Sequence, residues 1–397
     1  MPVILKKFDL MMIYIFLLSI LMIFYPIFIY PLILLVVSLF FKKIRQQKNA
    51  LSLPSVSLVV IVRNGERFIA EKIKNSLALD YPKDRLEIII ASDGSEDRTL
   101  EIAESLKTEG VKIVGVREHA GKISMINKTV PEAKGEILIF SDVSALLPEN
   151  TVQVFVAWFQ NPIIGGVCGR KILMKQEHDL GRAQASYGSY EDFIRSWESR
   201  IAGVASNEGF LYAMRQKLFK LLPESVTDDL YNAMGIMKQK RRVLFDPDLT
   251  AHIPVRAKTK GQELSRRRRI VCQSLNGLWK MKELFNPLEY GFYSWILFSH
   301  KVLRRMVPVF MVTLFVSNLF LVNTGLKFGI LFFIQVAAYS VAIIFLARLN
   351  SKAIRIISVA NFISAWSYFC VGNMGTLLGI IDFITGKKYS KWDSVIK

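Results

Sequence analysis

Residues 137–147 read ILIFSDVSALL, an apolar run that ends at an aspartate. The run from Ile137 to Phe140 is typical of a strand in a parallel sheet that helices cover on both faces. Ligands of open α/β sheets bind outside the carboxyl ends of the strands, so Asp142 is placed to face a cation or a diphosphate. Aspartates also form Asx turns and cap helices, and Asp142 alone does not distinguish these roles.

Similar strands and helices alternate before this stretch. SLVVIVR (57–63), LEIIIAS (86–92) and VKIVGV (111–116) read as strands, and helical patterns separate them, such as ERFIAEKIKNSLAL (66–79). Strands that alternate with helices form parallel sheets with right-handed crossovers. The sequence therefore predicts an α/β fold with a doubly wound, mainly parallel sheet.

The composition is both apolar and basic. The 397 residues are 52% hydrophobic, with 52 Lys and Arg against 33 Asp and Glu. A basic balance also occurs in nucleic-acid-binding proteins, but four long windows of this chain have no charged residue: Leu10–Phe41, Met306–Leu326, Phe328–Ala347 and Ile356–Ile381. A helix of about 20 apolar residues crosses a bilayer. We therefore expect a multi-pass membrane protein with membrane lipids, and no nucleic acid, among its partners.

The charges that flank these windows predict the organisation of the chain. FKKIRQQK (41–48) follows the first window, which places the next segment in the cytoplasm by the positive-inside rule. We expect an anchor at 1–41, a cytosolic domain at 42–283, an interfacial amphipathic helix at 284–305, and transmembrane helices with a tail at 306–397. The implied location is the plasma (inner) membrane. Four spans would leave the tail outside, whereas its lysines favour the inside, and a re-entrant last segment would reconcile the two.

The three cysteines, Cys168, Cys272 and Cys370, are scattered. They form no CxxC pair, so the sequence predicts neither a disulfide framework nor a zinc site. Reduced thiols agree with a catalytic region on the cytoplasmic side.

Polar clusters follow the predicted strands at corresponding positions. They are Arg63-Asn64-Gly65-Glu66, Ser92-Asp93-Gly94-Ser95 and Ser141-Asp142-Val143-Ser144, and Gly121-Lys122 opens a helix between the last two. Carboxylates and a lysine at one edge of a parallel sheet can hold a nucleotide and a metal-bridged diphosphate. This edge is the predicted binding site.

The ordered set RNGE, DYP, SDGSEDRT, GK, FSD, TDD and an arginine-rich element resembles the family 2 glycosyltransferases. The resemblance is to membrane-embedded members such as cellulose, hyaluronan and chitin synthases, and it implies a GT-A fold. It implies that Asp93 contacts the nucleoside, that Arg63 and Glu66 belong to the base-contacting turn, and that Lys122 lies beside the phosphates.

The resemblance also assigns Asp142 to the first position of the D-x-D motif, whose carboxylates bind the divalent cation, Mg²⁺ or Mn²⁺, and the sugar nucleotide. Ser144 stands at the second position. One metal carboxylate of the family pattern is therefore missing, and the diphosphate and water would complete the coordination shell.

Asp229 matches the general base of the family's T-E-D motif, and Asp228 replaces the usual glutamate. Such a base takes the proton of the acceptor hydroxyl as the sugar is attacked. The two aspartates also fit a helix N-terminus that negative charge stabilises.

The run ELSRRRRI (263–270) resembles the family's Q-x-x-R-W element, with Arg266 at the glutamine, Arg269 at the arginine and Ile270 at the tryptophan position. A guanidinium here can bind the leaving diphosphate bidentately. Ile270 removes the aromatic surface on which a growing glycan would rest, which argues against long processive elongation. The arginines also fit a membrane-surface or nucleic-acid patch.

These observations predict a membrane-bound inverting glycosyltransferase of polysaccharide or cell-envelope biosynthesis. It would move a sugar from a nucleotide sugar, first of all a UDP-sugar, to a glycan or lipid-linked acceptor, and export-complex subunits are possible partners. Two alternatives remain open at this point. One is a polyprenyl-phosphate glycosyltransferase, and the other is a catalytically weak, nucleotide-binding subunit of an export complex.

Overall fold

A computed structural model of the chain describes residues 2–46, 53–174, 179–254, 260–348 and 357–391. Its centre is a seven-stranded sheet. In chain order the strands are β1 (Val56–Val62), β2 (Leu86–Asp93), β3 (Val111–Val116), β4 (Ile137–Ser141), β5 (Ile164–Met174), β6 (Leu211–Arg215) and β7 (Arg242–Pro254).

The spatial order of the strands is β3-β2-β1-β4-β6-β5-β7. The pairs β1–β2, β1–β4, β2–β3 and β5–β7 are parallel, whereas β6 is antiparallel to both of its neighbours, β4 and β5. The predicted α/β fold with a mainly parallel sheet is confirmed. Because β1 has β2 on one side and β4 on the other, the carboxyl ends of all three strands meet at a topological switch point.

Fourteen α-helices surround or extend from the sheet in the described residues. They are α1 (Pro2–Phe24), α2 (Tyr30–Ser38), α3 (Glu66–Leu77), α4 (Thr99–Ser105), α5 (Lys122–Thr129), α6 (Thr151–Phe159), α7 (Asp179–Ile201), α8 (Asp228–Lys238), α9 (Lys260–Lys280), α10 (Pro287–Tyr290), α11 (Phe292–Leu297), α12 (Arg304–Leu321), α13 (Leu326–Arg348) and α14 (Ile357–Ile384). π-helical turns at Tyr25–Ile29 and Phe298–Leu303 join α1 to α2 and α11 to α12. Short 3₁₀ helices lie at Lys83–Arg85, Val130–Glu132, Gln216–Leu218 and Lys282–Phe285.

Each face of the sheet is apolar and packs in its own hydrophobic cluster. Every residue of β1 is buried. Val59 and Ile61 belong to the cluster on one face, and Leu58 and Val60 belong to the cluster on the other. This alternation is the two-residue period of a strand, and burial on both sides explains why the strands read as continuous apolar runs.

Among the residues that the structure describes, two helical stretches are long and apolar enough to cross a bilayer, Lys6–Ser38 and Phe292–Leu321. Shorter apolar helices lie at Leu326–Val341 and Phe369–Ile384. The segment 284–305 contains α10 and the beginning of the second long stretch, and the interfacial position of this segment stays a prediction. Gly291, at φ 55°, ends α10, and the apolar sequence after it continues as one helix into α12.

The last helix, α14, packs along α9 of the sheet domain. A Cβ added to Gly375 or Gly379 would lie 3.0 Å or less from atoms of α9, so small residues allow this close approach. Arg268 of α9 pairs with Asp382 at 2.6 Å, and Gln273 donates to the carbonyl of Tyr389 at 2.8 Å. The described part of the tail therefore lies against the sheet domain.

Candidate functional site

Asp93, at the carboxyl end of β2, organises the loop that precedes α5. Its buried carboxylate accepts hydrogen bonds from the backbone N–H groups of Ala120 (2.7 Å) and Gly121 (3.0 Å). The Nδ1 of His119 lies 2.8 Å from the same carboxylate. Gly121 has φ 96° and ψ 150°, a conformation that is nearly confined to glycine. Asp93 thus fixes the backbone in front of Lys122, the first residue of α5.

The turn after β1 is tied to the loop after β2. Arg63 pairs with Glu96 at 2.9 Å, and the Asn64 side chain accepts from the backbone N–H of Glu96 at 2.8 Å. The carboxylate of Glu66 accepts from the backbone N–H of Arg98 at 3.2 Å. Arg63 and Glu66 therefore lie beside the Asp93 loop, at the sheet edge where the sequence predicts the base-contacting turn.

Lys122 joins two motifs that are distant in the sequence. Its Nζ lies 3.1 Å from Asp228 Oδ2 and 3.8 Å from Asp142 Oδ1. Burial lowers the pKa of Lys122, but Asp228 and Asp142 together raise it above the ordinary lysine value. A lysine that stays protonated between these carboxylates is suited to bind a phosphate that enters the site.

Asp142 occupies a turn directly after β4. Its carbonyl accepts from the N–H of Ala145 at 3.0 Å, and 32% of its side chain is exposed. The turn and the ligand role are therefore compatible, because the backbone closes the turn while the carboxylate faces Lys122.

A divalent cation at Asp142 would find one carboxylate in this turn. Among the described residues, no three His, Cys, Asp or Glu side chains form a metal-binding group. Mg²⁺ in phosphate sites is commonly held by one or two carboxylates, the substrate phosphates and water. The residues present fit a cation that depends on the donor's diphosphate for its remaining ligands.

Asp228 and Asp229 begin α8 and point to different surroundings. Asp228 Oδ2 accepts from the hydroxyl of Tyr212 at 3.1 Å, and this hydroxyl accepts from Asn232 at 3.1 Å. Asp229 accepts from the N–H of Leu230 at 2.7 Å, as an acidic residue in a first helical turn does. Burial, together with the charge of Asp228, raises the pKa of Asp229, so this carboxylate binds a proton more readily than an exposed aspartate.

Asp229 lines a cavity of about 320 Å³. Arg266, Arg267 and Ile270 of α9 line it as well, whereas Arg268 faces α14. Arg269 is not among the described residues that line the cavity. The structure thus brings the predicted base together with Arg266 and Ile270, and it places Arg269 farther round the helix.

The cavity is also lined by charged residues that were not among the predicted site residues. They are Lys171, Glu191, Asp192, Arg195, Glu208, His300, Lys301, Arg304 and Arg305. Arg195 pairs with Glu208 at 2.8 Å, and His300 Nδ1 lies 2.6 Å from Glu198. Burial opposes ionisation of Glu191, but Arg304 and His300 hold its pKa well below the ordinary value. These groups are far apart along the chain, so sequence spacing gave no signal of the network.

Lys72 and Asn75 of α3 were also missed. Lys72 is fully buried, and burial lowers its pKa to about 7, although Asp142 acts in the opposite direction. The helical period of α3 could have indicated that Lys72 is buried, because Lys72 lies on the same face as Ile69, Ile73 and Ser76, which are buried.

Part of the chain is similar to proteins of a known family. Residues 57–220 match the model of glycosyl transferase family 2. The chain is 29% identical over 188 residues to beta-monoglucosyldiacylglycerol synthase of Nostoc sp., a match that covers 45% of this chain and 40% of that protein. It is 23% identical over 257 residues to poly-beta-1,6-N-acetyl-D-glucosamine synthase of Staphylococcus epidermidis, covering 63% of this chain and 56% of that protein.

Among solved structures, the mannosyltransferase PcManGT from Pyrobaculum calidifontis, in complex with GDP-Man and Mn²⁺, superposes with a TM-score of 0.72. The match covers 95% of this chain and 100% of that one at 20% sequence identity. At this identity the likeness shows a shared fold. The chain spans well under two thirds of the length of both curated relatives described above.

Proposed function

Because residues 57–220 match the model of glycosyl transferase family 2, we propose that the chain transfers a sugar from a nucleotide sugar to a hydroxyl group of a glycan or lipid-linked acceptor. One observation carries the proposal. Lys122 contacts both Asp142 and Asp228, and the neighbouring Asp229 lines a cavity large enough for part of an acceptor. The proposed phosphate-binding lysine, cation ligand and base thus lie on adjacent elements.

The donor is proposed to lie across the carboxyl ends of β1, β2 and β4. Arg63, Glu66 and Asp93 would contact the nucleoside side, and Lys122 and Asp142 would contact the diphosphate. Asp142 would hold a divalent cation, Mg²⁺ or Mn²⁺, which when bound supplies positive charge to the leaving diphosphate. A UDP-sugar is the first donor class to test.

Transfer would follow a single displacement with inversion. Asp229 takes the proton of the acceptor hydroxyl, whose oxygen attacks the anomeric carbon while the bond from that carbon to the diphosphate oxygen breaks. The raised pKa of Asp229 makes it a stronger base than an exposed aspartate. Lys122, Arg266 and Arg269 are the proposed cationic groups for the leaving diphosphate.

The acceptor is proposed to reach the cavity from the membrane. His300, Lys301, Arg304 and Arg305 line the cavity and belong to the apolar stretch Phe292–Leu321. In this arrangement the anchor at 1–41 and the helices after 284 span or enter the membrane, and the domain at 42–283 lies on its cytoplasmic side. The lysine and the two arginines of this group also support the second candidate acceptor, a polyprenyl phosphate, because they would attract its phosphate.

The test uses the detergent-purified full chain with UDP-glucose, UDP-N-acetylglucosamine and GDP-mannose, each with Mn²⁺. Release of the nucleoside diphosphate is measured alone and with diacylglycerol, polyprenyl phosphate or an oligosaccharide as acceptor. We expect acceptor-dependent release with one donor. Asp229→Asn should lower turnover by about 10²- to 10⁴-fold, the range of general base catalysis, while donor binding persists.

Asp84→Asn is the matched control, since the Asp84 side chain is 80% exposed in a short helix before β2. It should retain wild-type turnover. Nucleotide binding without release or transfer for any donor and acceptor would contradict the proposed activity and support the nucleotide-binding subunit instead.

A further inference from the structure

We propose that Lys72 and Asn75 of α3 are positioning residues that hold the Asp142 turn in the conformation that binds the donor's diphosphate and its cation. The role assigned to the turn rests on the proposed function. The contacts between these two side chains and the turn are observed in the structure.

Lys72 holds the turn from both sides of Asp142. Its Nζ donates to Ser141 Oγ at 2.8 Å and to the carbonyl of Ala145 at 2.6 Å. Ser141 ends β4, and Ala145 is the residue whose N–H closes the turn on the Asp142 carbonyl. One buried side chain therefore joins the residue before Asp142 to the residue three positions after it.

Asn75 holds the far end of the same segment. Its side-chain amide donates to the carbonyl of Leu147 at 2.8 Å, and its side-chain oxygen accepts from the N–H of Leu147 at 2.9 Å. The Asn75 side chain thus bonds both backbone polar groups of Leu147, as a neighbouring strand would. Together, Lys72 and Asn75 tie three points of the segment Ser141–Leu147 to one helix.

Burying a lysine side chain costs desolvation free energy, so stability alone does not explain Lys72 at this position. Both hydrogen-bond acceptors of Lys72 are uncharged, and the Asp142 carboxylate only partly offsets the desolvation of the ammonium form, so the pKa of Lys72 is lowered to about 7. An apolar side chain on this face of α3 would pack at lower cost. The polar contacts instead fix the backbone on both sides of a residue whose carboxylate must be accurately placed, as groups that orient cation ligands do.

The experiment replaces Lys72 by methionine, which keeps most of the stem and removes the donor. Binding of UDP and of GDP to the full chain is measured by titration calorimetry, with and without Mn²⁺. Groups that orient cation ligands contribute about 10- to 100-fold to metal affinity, so Lys72→Met should weaken Mn²⁺-dependent binding by about this factor. Binding without Mn²⁺ should remain close to wild type, because the Asp93 side of the site is untouched.

Asn75→Ala is the second variant and should change the same measurement in the same direction by a smaller factor. Lys74→Met is the matched control, because Lys74 is an exposed lysine of the same helix. It should bind like the wild type. Amide hydrogen exchange of residues 137–150 in the nucleotide-free protein provides a readout that needs no ligand, and it should be faster in both Lys72→Met and Asn75→Ala.

Wild-type exchange at 137–150 in both variants would overturn the proposal. Equal weakening of binding with and without Mn²⁺ would overturn it too, because that result describes a general loss of structure. If the wild-type chain binds neither nucleotide, the proposed function fails, and the exchange measurement still decides whether α3 holds the turn.

Discussion

Replacement of Gly121 by alanine should weaken nucleotide binding although it removes no polar side chain from the site. Gly121 donates its N–H to Asp93, and its φ of 96° and ψ of 150° lie in a region that only glycine occupies readily. A side chain held there costs about 1–3 kcal/mol. The added methyl group would also lie 2.2 Å from the carbonyl oxygen of Ser390 in the tail, so the tail must move as well.

The strain can be relieved if the loop from His119 to Gly121 adopts another conformation. The bound form then becomes a minority state, and the apparent dissociation constant rises by the inverse of its population. Since about 1.4 kcal/mol corresponds to a factor of ten, the backbone term predicts UDP binding weaker by about 5- to 150-fold. If the loop cannot relax, the same energy appears as a lower unfolding free energy.

The assay combines calorimetric titration with UDP and Mn²⁺ and a thermal unfolding curve of the full chain. Gly235→Ala is the control, because Gly235 lies in α8 with no atom within 4 Å of an added Cβ. Alanine is the better helix former by about 1 kcal/mol, so this variant should lose neither affinity nor stability. Gly121→Ala with both the dissociation constant and the unfolding midpoint of the wild type would refute the reasoning.

Three further predictions concern the carboxylates. Since Asp229 must be ionised to act as a base, turnover should rise as the pH passes through the raised pKa of Asp229. Asp228→Asn removes the neighbouring negative charge and so lowers the pKa of Asp229. The rising limb of the pH–rate profile should therefore shift to lower pH in this variant. Asp142→Ala should abolish the Mn²⁺ dependence of UDP binding measured by calorimetry, with little change in the unfolding midpoint; a loss of about 1 kcal/mol of stability at unchanged affinity would assign Asp142 to the turn alone. Ser144→Asp should tighten Mn²⁺ binding in the same titration without being required for turnover, and full wild-type activity in excess EDTA would contradict a metal role for Asp142.

The strands at the site were predictable because their signal is local. The runs that became β1, β2 and β4 are almost entirely buried, and a continuous apolar run indicates this directly. The direction of β6 was not predictable in the same way, since antiparallel pairing with β4 depends on how the chain returns to the sheet. The local sequence pattern predicts that a strand exists, but it does not predict which strand lies beside it or in which direction the two run.

The site residues show the same limit. Asp142, Lys122 and Asp228 could be found because ordered motifs mark them, and the structure places them in contact. The choice between Arg266 and Arg269 depends on the rotation of α9, which its packing against α14 determines. His300 meets Glu198 across 102 positions, and no pattern within either segment encodes that meeting.

The apolar cluster on one face of the sheet contains residues from both ends of the chain. Tyr30 and Leu34, from the first apolar helix, pack in the same cluster as Val59 of β1 and as Tyr293 and Ile296, which lie beyond the sheet domain. During synthesis, the interior of the sheet domain therefore cannot close before the helix that begins at Phe292 has been made. Folding of the sheet domain and packing of the apolar helices on either side of it become one coupled process, and a gene fragment cut at positions 42 and 283 would encode a sheet domain whose apolar cluster is incomplete.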